Sequence, residues 1–343
     1  MARAVGRRAP TMTDVAKLAG VSQATVSLVI NKVAGASIPE DTRERIWQAV
    51  EKLAYRPNVA AQLLRTRRSG TIGFVSDAIA STPFAGKIIE GAQKSAWDKD
   101  KLLVVLNTGN DITMKKAAVD MLLDRQIEGI IYAAFYHQVV NPPPNLYQVP
   151  AVLLDCYCPD RSLPSVVPDE VRGGREATEI LLNKGHRRIG FINIQPYLPA
   201  AHGRLEGYKQ ALEAHNLSFD PTLVRSSNSN ADEGYTAALE LMNLAERPTA
   251  LFCGTDRVAM GAYDALKFLG LRIPEEVAVI GFDNQELIAA YLRPALSTMA
   301  LPHYEMGQWA VEYLLQTAAS EEPDQSNPPQ HKIFCPYIPR HSL

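Results

Sequence analysis

The sequence predicts two unlike parts: a small helical head, and a larger α/β body whose two lobes contain parallel sheets with helices on both faces. Three observations predict this division. The chain has 343 residues, more than one ordinary domain core accommodates. Residues 1–70 carry 12 Lys and Arg against 5 Asp and Glu, whereas the rest of the chain carries 23 against 32. Short apolar runs alternate with helical stretches only after residue 70.

The composition excludes several classes of protein. With 46% hydrophobic and 21% charged residues, the chain can bury large cores. Its four cysteines form no C-x-x-C pair, so neither a disulfide scaffold nor a zinc site is expected. No run approaches the ~20 apolar residues that span a bilayer, and no apolar stretch follows the basic N-terminus. We expect a cytoplasmic protein with no metal and no cofactor.

The basic head has the pattern of a helix-turn-helix. Thr11 and Asp14 form a helix-start signal, Gly20 permits a chain reversal, and Ser22 is a natural N-cap for a second helix. A third helix is expected over about 40–54. Its apolar face would contain Ile46, Trp47, Val50 and Leu53. This arrangement is typical of DNA-reading motifs, although any three-helix bundle could show the same spacing.

Residues 57–70 have the pattern of a short helix that needs a partner. Pro57-Asn58 is a helix-start signal, and the eight residues VAAQLLRT follow it. A helix of this length is marginal in water because its nucleation is costly. The segment is therefore either a linker with a transient helix or a helix completed by another molecule.

The body's apolar runs predict two parallel sheets. The expected strands are 71–76, 102–106, 129–133, 151–154, 188–193, 223–226, 250–253 and 277–281. Ligands of such sheets bind beyond the carboxyl ends of the strands. The residues found at or shortly after those ends are Asp77, Asn107, Asp155, Asn193, Asn228, Asp256 and Asp283. This set favours a hydrogen-bonding pocket for a polar molecule, although each residue could instead cap a helix.

Four stretches give the chain a family resemblance. The segment from T-M-T-D-V-A through Y-R-P-N, then N-K-G-H-R-R-I-G-F, G-T-D-R-V-A-M-G-A and V-A-V-I-G-F-D-N, resembles the lac repressor/purine repressor (LacI/GalR) family of bacterial transcription regulators. The four stretches occur in the family's order over nearly the whole chain. The resemblance implies a helix-turn-helix head and a periplasmic-binding-protein-like effector domain.

The resemblance also implies which residues meet DNA. Ser22, Thr25, Ser27 and Asn31 match positions that contact phosphates, whereas Gln23, Ala24 and Leu28 match positions that face base edges. Leu28 stands where family members often carry a polar group, and core burial is its alternative role. The full expected DNA-binding set adds Thr11, Tyr55, Asn58, Ala61 and Leu64. In the family, the leucine at position 64 of this chain enters the minor groove together with its counterpart from a second subunit.

For the body, the resemblance implies an effector site. Arg204 and Asp283 match residues that hold effector across the cleft, Asp155 matches a pocket aspartate, and Phe84 and Asp256 are secondary candidates. Arg204 could alternatively form an interlobe ion pair. Ser229 replaces a stacking aromatic ring found in some members, so Tyr197 or Tyr132 would have to supply one. We expect a sugar as effector, with a nucleobase or nucleoside as the alternative.

The expected domain boundaries follow from these assignments. The head is 1–56, the hinge is 57–70, the first lobe is 71–168 with 299–328, and the second lobe is 169–298 with 329–343. The chain is expected to cross between lobes near Val167–Asp169, near Ser297–Ala300 and within EEPDQSNPPQ, before a last strand at about 333–337. No C-terminal leucine heptad is seen, so the tetramer-forming tail of some family members is not expected. A homodimer is expected because a two-fold protein suits a palindromic DNA site.

Three functions compete at this point. The first is a DNA-binding transcription regulator, a repressor whose operator affinity depends on a small polar effector. The second is a solute-binding protein of a sugar transporter, which would have no use for a basic head. The third is an α/β enzyme, but the sequence contains no G-x-S-x-G, Walker or H-E-x-x-H motif. We therefore expect no enzymatic activity.

Overall fold

The computed structural model describes residues 9–31, 33, 35–56, 69–82, 85–109, 111–319 and 327–343. The chain forms two compact units, Met1–Ser69 and Gly70–Leu343, called the head and the body below. The predicted hinge helix, with Asn58, Ala61 and Leu64, lies outside the described residues, as does Phe84. Those four assignments therefore remain predictions.

The head contains three helices. They are α1 (Met12–Ala19), α2 (Gln23–Ile30) and α3 (Glu40–Lys52). The Thr11 hydroxyl accepts from the Asp14 backbone, and the Asp14 carboxylate in turn accepts from the Thr11 N–H at 2.8 Å. Gly20 ends α1 with φ +68°, a left-handed conformation that favours glycine. The local signals for both helix starts and for the turn therefore predict what the structure shows.

A small apolar core holds the three helices together. Its fully buried members include Val15, Val26 and Ile46, which come from α1, α2 and α3 respectively. The expected apolar face of α3 is partly wrong, because Trp47 is 45% exposed. Neighbouring residues on a helix point about 100° apart, so Ile46 and Trp47 cannot both face one small core.

The body contains two six-stranded sheets. The strands are β1 (Thr71–Ser76), β2 (Leu102–Asn107), β3 (Gly129–Val139), β4 (Ala151–Tyr157), β5 (Ser165–Pro168), β6 (Ile189–Asn193), β7 (Val224–Ser226), β8 (Ala250–Cys253), β9 (Ala278–Asp283), β10 (Ser297–Ala300), β11 (Gln330–Ile333) and β12 (Tyr337–Ile338). The first sheet has the order β11-β5-β4-β3-β1-β2 and is parallel. The second has the order β12-β10-β9-β8-β6-β7, with only β12 antiparallel to its neighbour.

Helices cover both sheets, as the sequence predicts. They are α4 (Gly86–Trp97), α5 (Ile112–Leu123), α6 (Glu170–Asn183), α7 (Pro199–Ala214), α8 (Ala231–Met242), α9 (Asp256–Phe268), α10 (Glu286–Ala289) and α11 (His303–Ala319). Short 3₁₀ helices occupy Ile79–Ser81, Pro144–Gln148 and Pro221–Leu223. Across the described ranges, no helix is both long and apolar enough to cross a membrane.

The predicted lobe boundaries need correction near the C-terminus. β11 pairs with β5 in the first sheet, although residues 329–343 were assigned to the second lobe. The third crossing therefore lies between β11 and β12, after the Pro-rich acidic stretch. The second crossing follows β10, since that strand pairs with β9 up to Ala300. Apolar runs predict strands but cannot say which sheet edge a short strand will join.

Close packing of α6 on α7 positions two buried charged residues of the body. A Cβ added to Gly203 would lie 2.5 Å from the Cβ of Glu170, and one added to Gly174 would lie 2.7 Å from the Cα of Arg204. Only glycine allows two helices to approach so closely at these points. The sequence thereby places Glu170, at the start of α6, beside Arg204 on α7.

Candidate functional site

In the head, α2 presents a polar and apolar face to solvent. Gln23, Ala24 and Leu28 are exposed, whereas Val26 and Val29 are buried. Core burial of Leu28 is therefore wrong: it is 38% exposed on the face that was predicted to read bases. Neutral side chains of this kind can contact base edges through the Gln23 amide and through apolar contact with thymine methyl groups.

The predicted phosphate-contacting residues surround that face and fix its ends. The Ser22 hydroxyl accepts from the Thr25 N–H at 3.1 Å and so caps α2. The Asn31 side-chain amide donates to the Ser27 carbonyl at 2.6 Å at the other end. Tyr55 is only 8% exposed and belongs to the core of the head. Its side chain therefore contributes packing, and little of it remains accessible to DNA.

In the body, a cavity of about 260 Å³ lies between the two lobes. First-lobe residues Phe135, Tyr136, His137 and Asp155 form one side of it. The other side comes from the second lobe, with α7 and the ends of β6, β8 and β9. This is the carboxyl edge of the parallel strands, where ligands of such sheets bind.

A bulge in the first sheet creates the first-lobe side of the cavity. The parallel register of β3 with β4 shifts between Ala133 and Gln138. Asp155 lies opposite this irregular stretch, with a left-handed φ of +55° that is unfavourable for a residue with a Cβ. Backbone strain of this kind concentrates at ligand sites. The bulge turns an otherwise regular strand pair into a polar and aromatic wall.

Arg204 is at the centre of the cavity's charge network. Its Nε donates to Glu170 Oε2 at 2.8 Å and its Nη2 to Glu170 Oε1 at 3.4 Å. Its Nη1 donates to the Gly254 carbonyl and lies 4.0 Å from Asp283 Oδ1. The Phe282 ring covers the guanidinium at 3.8 Å. Arg204 thus pairs with acids of its own lobe, not across the lobes as the alternative prediction held, and it also lines the cavity.

The three carboxyl groups of the cavity titrate differently. Burial acts to raise the pKa of Glu170, but the Arg204 and His137 side chains outweigh it and lower that pKa to about 2. Burial raises the pKa of Asp283 to about 6, although Arg204 opposes the shift. Burial, followed by the charge of Glu170, raises the pKa of Asp155 well above its usual range. Near neutral pH, Glu170 is thus the firmly ionised acid.

Two buried polar groups on the first-lobe side are unsatisfied. Among the described residues, Asp155 Oδ1 and both ring nitrogens of His137 have no hydrogen-bond partner. His137 Nδ1 lies 3.6 Å from Glu170 Oε1, too far for a good hydrogen bond. Buried polar atoms without partners are costly, and a ligand with hydrogen-bonding groups would satisfy them. This wall is therefore suited to a polar ligand.

Asp256 differs from its predicted role. It is fully buried and does not line the cavity. Its carboxylate accepts from the Thr298 hydroxyl at 2.6 Å and from the Gln285 N–H at 2.6 Å. Asp256 therefore supports the turn after β9, which carries Asp283, rather than contacting a ligand. In the sequence, Asp256 directly follows the helix cap Thr255 just after a strand, and ligand-binding residues also occur at such positions.

The other strand-end residues divide into two groups. Asn228 lines the cavity, whereas Asn193 uses its side chain to bond the Ala201 carbonyl and the Ile194 N–H. Asp77 caps the following turn through the Ala78 N–H. Asn107 accepts from the Ser76 hydroxyl at 3.2 Å. The explanation that Asp77 and Asn107 serve local structure therefore fits their contacts.

Aromatic side chains reach the cavity from places that the sequence did not single out. Tyr197 lines it, as one of the two proposed replacements for a ring at Ser229, but Tyr132 is buried elsewhere. Phe135 and Tyr136 add two further rings, packed edge to face at 6.0 Å.

Glu170 and His137 line the cavity as well, although the sequence does not predict them as site residues. Glu170 directly follows the predicted crossing at Val167–Asp169, which was the available signal.

Comparison with known proteins decides the family. Residues 11–58 match the family model for bacterial regulatory proteins of the lacI family, and residues 178–343 match the periplasmic binding protein-like domain. The chain is 33% identical over 306 residues to the ribose operon repressor of Haemophilus influenzae, covering 89% of this chain and 91% of the relative. The chain belongs to the lacI family. The resemblance seen in the sequence is thereby confirmed.

Other members of the lacI family give the same result. The transcriptional repressor PurR of Yersinia pestis is 32% identical over 317 residues, with 92% of each chain covered. The lac repressor dimer bound to operator and an anti-inducer superposes with a TM-score of 0.77, at 26% identity over 98% of this chain and 99% of that chain. A CelR–cellobiose complex gives 0.68, at 28% identity over 97% and 100%. The predicted fold class is therefore confirmed, and these relatives are regulators rather than enzymes.

The raised pKa of Asp283 predicts a pH dependence of stability. The pKa of Asp283 is about 6 in the folded chain and near 4 in the unfolded chain. Its contribution to the free energy of unfolding is therefore fully present below pH 4 and is lost as the pH rises through 6. The Asp283→Asn variant should lack this loss of stability, which is on the order of 3 kcal/mol. Calorimetric melting of both proteins between pH 4 and 7.5 measures the difference.

The exposed residue Asp264 provides the matched control for this titration. Asp264→Asn should leave the pH dependence of the wild-type chain unchanged. If the melting temperatures of the wild type and Asp283→Asn changed in parallel over the whole pH range, burial would not raise the pKa of Asp283 as described.

Proposed function

We propose that this chain is a homodimeric transcriptional repressor whose affinity for operator DNA is controlled by a small polar effector, a sugar, bound between the lobes. The observation that carries the proposal is the presence, in one chain, of a capped recognition helix with an exposed Gln23–Leu28 face and an interlobe cavity with unsatisfied polar groups. A regulator controlled by an effector needs both features, because the helix contacts DNA and the cavity binds the effector.

Each proposed residue has a distinct task. Gln23, Ala24 and Leu28 contact base edges, while Ser22, Thr25, Ser27, Asn31 and the cap residue Thr11 hold the head on the phosphate backbone. The hinge residues Asn58, Ala61 and Leu64 meet the minor groove beside their counterparts in the second subunit. Asp155, Arg204 and Asp283 line the effector site, and Phe84 belongs to the same proposed site.

A sugar is supported by the chemistry of the cavity and by the relatives. Asp155 Oδ1 and His137 offer hydrogen bonds without a strong fixed positive charge, which suits hydroxyl groups. The Haemophilus relative is a ribose operon repressor, and the CelR structure is a complex with cellobiose. A nucleobase or nucleoside is the second candidate, and the rings of Phe135 and Tyr136 would favour it.

A gel-shift assay with DNA from upstream of the gene tests the function. We expect a specific complex that weakens steeply between two salt concentrations, because phosphate contacts release counterions. Gln23→Ala should weaken this complex by about 1–3 kcal/mol while leaving binding to unrelated DNA unchanged, since Gln23 contacts bases rather than phosphates.

Gln48 on α3 provides a matched control, because it is an exposed glutamine outside α2. Gln48→Ala should bind like the wild type. If Gln23→Ala also bound like the wild type, α2 would not be the element that reads sequence, and if the wild-type complex were insensitive to salt, the proposed mode of binding would fail.

A further inference from the structure

The guanidinium of Arg204 is largely occupied within the protein. Of its five N–H groups, two bond Glu170 and one bonds the Gly254 carbonyl. The Phe282 ring covers one face of the group at 3.8 Å. Two N–H groups remain, on a side chain that is only 3% exposed. The Nε–Nη2 edge, which can bind a carboxylate or phosphate in two places, is therefore already taken by Glu170 and is not available to an acidic ligand.

The charges around Arg204 reinforce this limit. Three carboxyl groups line the cavity, from Asp155, Glu170 and Asp283, against the guanidinium groups of Arg204 and the partly exposed Arg257. Asp283 Oδ1 lies 4.0 Å from Arg204 Nη1, on the part of the guanidinium that Glu170 leaves open. An anion placed there would face like charges at short range, which costs several kcal/mol in a buried site.

The packing of α6 on α7 fixes Glu170 in place. Gly203 leaves only enough space for the Glu170 side chain, since a Cβ at that position would lie 2.5 Å from the Glu170 Cβ. His137 approaches the same carboxylate from the first lobe, with Nδ1 3.6 Å from Oε1. The Cβ of Glu170 therefore stays beside Arg204 for as long as the two helices remain packed.

We propose that Glu170 sets the charge specificity of the effector site: by holding Arg204, it restricts the cavity to ligands that carry hydroxyl or amino groups and no acidic group. Asp155 Oδ1 is buried and has no hydrogen-bond partner among the described residues. It accepts a hydrogen bond from a hydroxyl or an ammonium group of that ligand. The inference rests on the proposed function only in treating the cavity as the effector site. It excludes sugar phosphates, sugar acids and nucleotides as effectors.

Sulfate is the probe for the first test, on the full chain without DNA. At pH 5 and constant ionic strength, Glu170 stays ionised whereas Asp283 is largely protonated, so the carboxylate on Arg204 is the main difference between the wild type and Glu170→Gln. Sulfate should stabilise the wild type no more than it stabilises the Glu90→Gln variant. Glu90 is exposed, so this variant is the control for the loss of one carboxylate. Glu170→Gln should bind sulfate at least about tenfold more tightly.

Any sulfate bound by the basic head is the same in all three proteins, so differences between them report on the cavity. Saturable sulfate binding by the wild type, equal to that of Glu170→Gln, would overturn the proposal. So would a folded Glu170→Gln variant that gains no sulfate affinity. If that variant does not fold, the wild-type measurement still decides, since tight sulfate binding contradicts the inference and its absence supports it.

A second test uses matched ligand pairs on the wild type: ribose with ribose 5-phosphate, glucose with glucosamine and glucose 6-phosphate, and adenosine with its monophosphate. Any member that raises the melting temperature should be uncharged or amine-bearing, and tighter binding of a phosphorylated member would overturn the proposal. These measurements contain no DNA. Failure of charge selection therefore leaves the gel-shift result standing, and failure of the gel shift leaves charge selection intact.

Discussion

Replacement of Arg204 by methionine is expected to destabilise the body by about 3–5 kcal/mol and to abolish effector binding. The reason is the buried carboxylate of Glu170, which would lose the guanidinium 2.8 Å away while remaining enclosed between α6 and α7. Breaking a buried ion pair from one side costs more than the pair contributes, because one charge is left without compensation. Calorimetric unfolding of the full chain measures the loss.

Two further variants distinguish the effect of the uncompensated Glu170 charge from a general loss of packing. Arg204→Met combined with Glu170→Leu removes both charges, so most of the stability should return while effector binding stays lost. Arg175→Met breaks the exposed Arg175–Glu179 pair, joined at 2.7 Å, and should cost less than about 1 kcal/mol. A cost for Arg204→Met no larger than that of Arg175→Met would contradict the network described for the cavity.

Val26→Asp is expected to unfold the head and eliminate specific DNA binding while leaving ligand binding by the body unchanged. Val26 is fully buried in a core that few residues share. An enclosed carboxylate without a partner costs several kcal/mol, comparable with the roughly 5 kcal/mol that stabilise a unit of this size. Protease resistance of the head, operator binding and ligand-induced stabilisation of the body are measured on the same preparation.

Leu18→Asp is the matched control, because Leu18 is an apolar residue of the head that is 45% exposed. It should keep the head resistant to protease, since its carboxylate remains in water. If Val26→Asp kept a protease-resistant head, the core assigned to α1, α2 and α3 would be wrong. If it also lost ligand stabilisation of the body, the independence of the two units in folding would be contradicted.

The sequence predicts features that depend on short-range chemistry. The caps at Thr11 and Ser22, the reversal at Gly20 and most strand positions follow from residues a few places apart. The strand-end rule also leads to Asp155 and Asp283, which line the cavity. These assignments succeed because a parallel sheet brings the ends of its strands to one edge, whatever the rest of the sequence.

Other features depend on contacts between distant segments and carry no local signal. The bulge that brings His137 and Asp155 to the cavity arises from the pairing of two strands, so no short stretch of sequence indicates it. Glu170 pairs with a residue 34 positions away, through helix packing that two glycines permit. Asp256 has the sequence context of a ligand residue but bonds Thr298 and Gln285 instead. Only the assembled body distinguishes these cases.

The proposed function requires that ligand binding in the cavity and DNA binding by the head are coupled. Fluorescence anisotropy of labelled upstream DNA should be measured with and without a saturating ligand chosen because it stabilises the wild type but not Arg204→Met/Glu170→Leu. We expect the operator dissociation constant to change by about 5- to 150-fold, and the ligand's own dissociation constant to change by the same factor when DNA is bound. Identical ligand affinity with and without operator DNA would contradict the account.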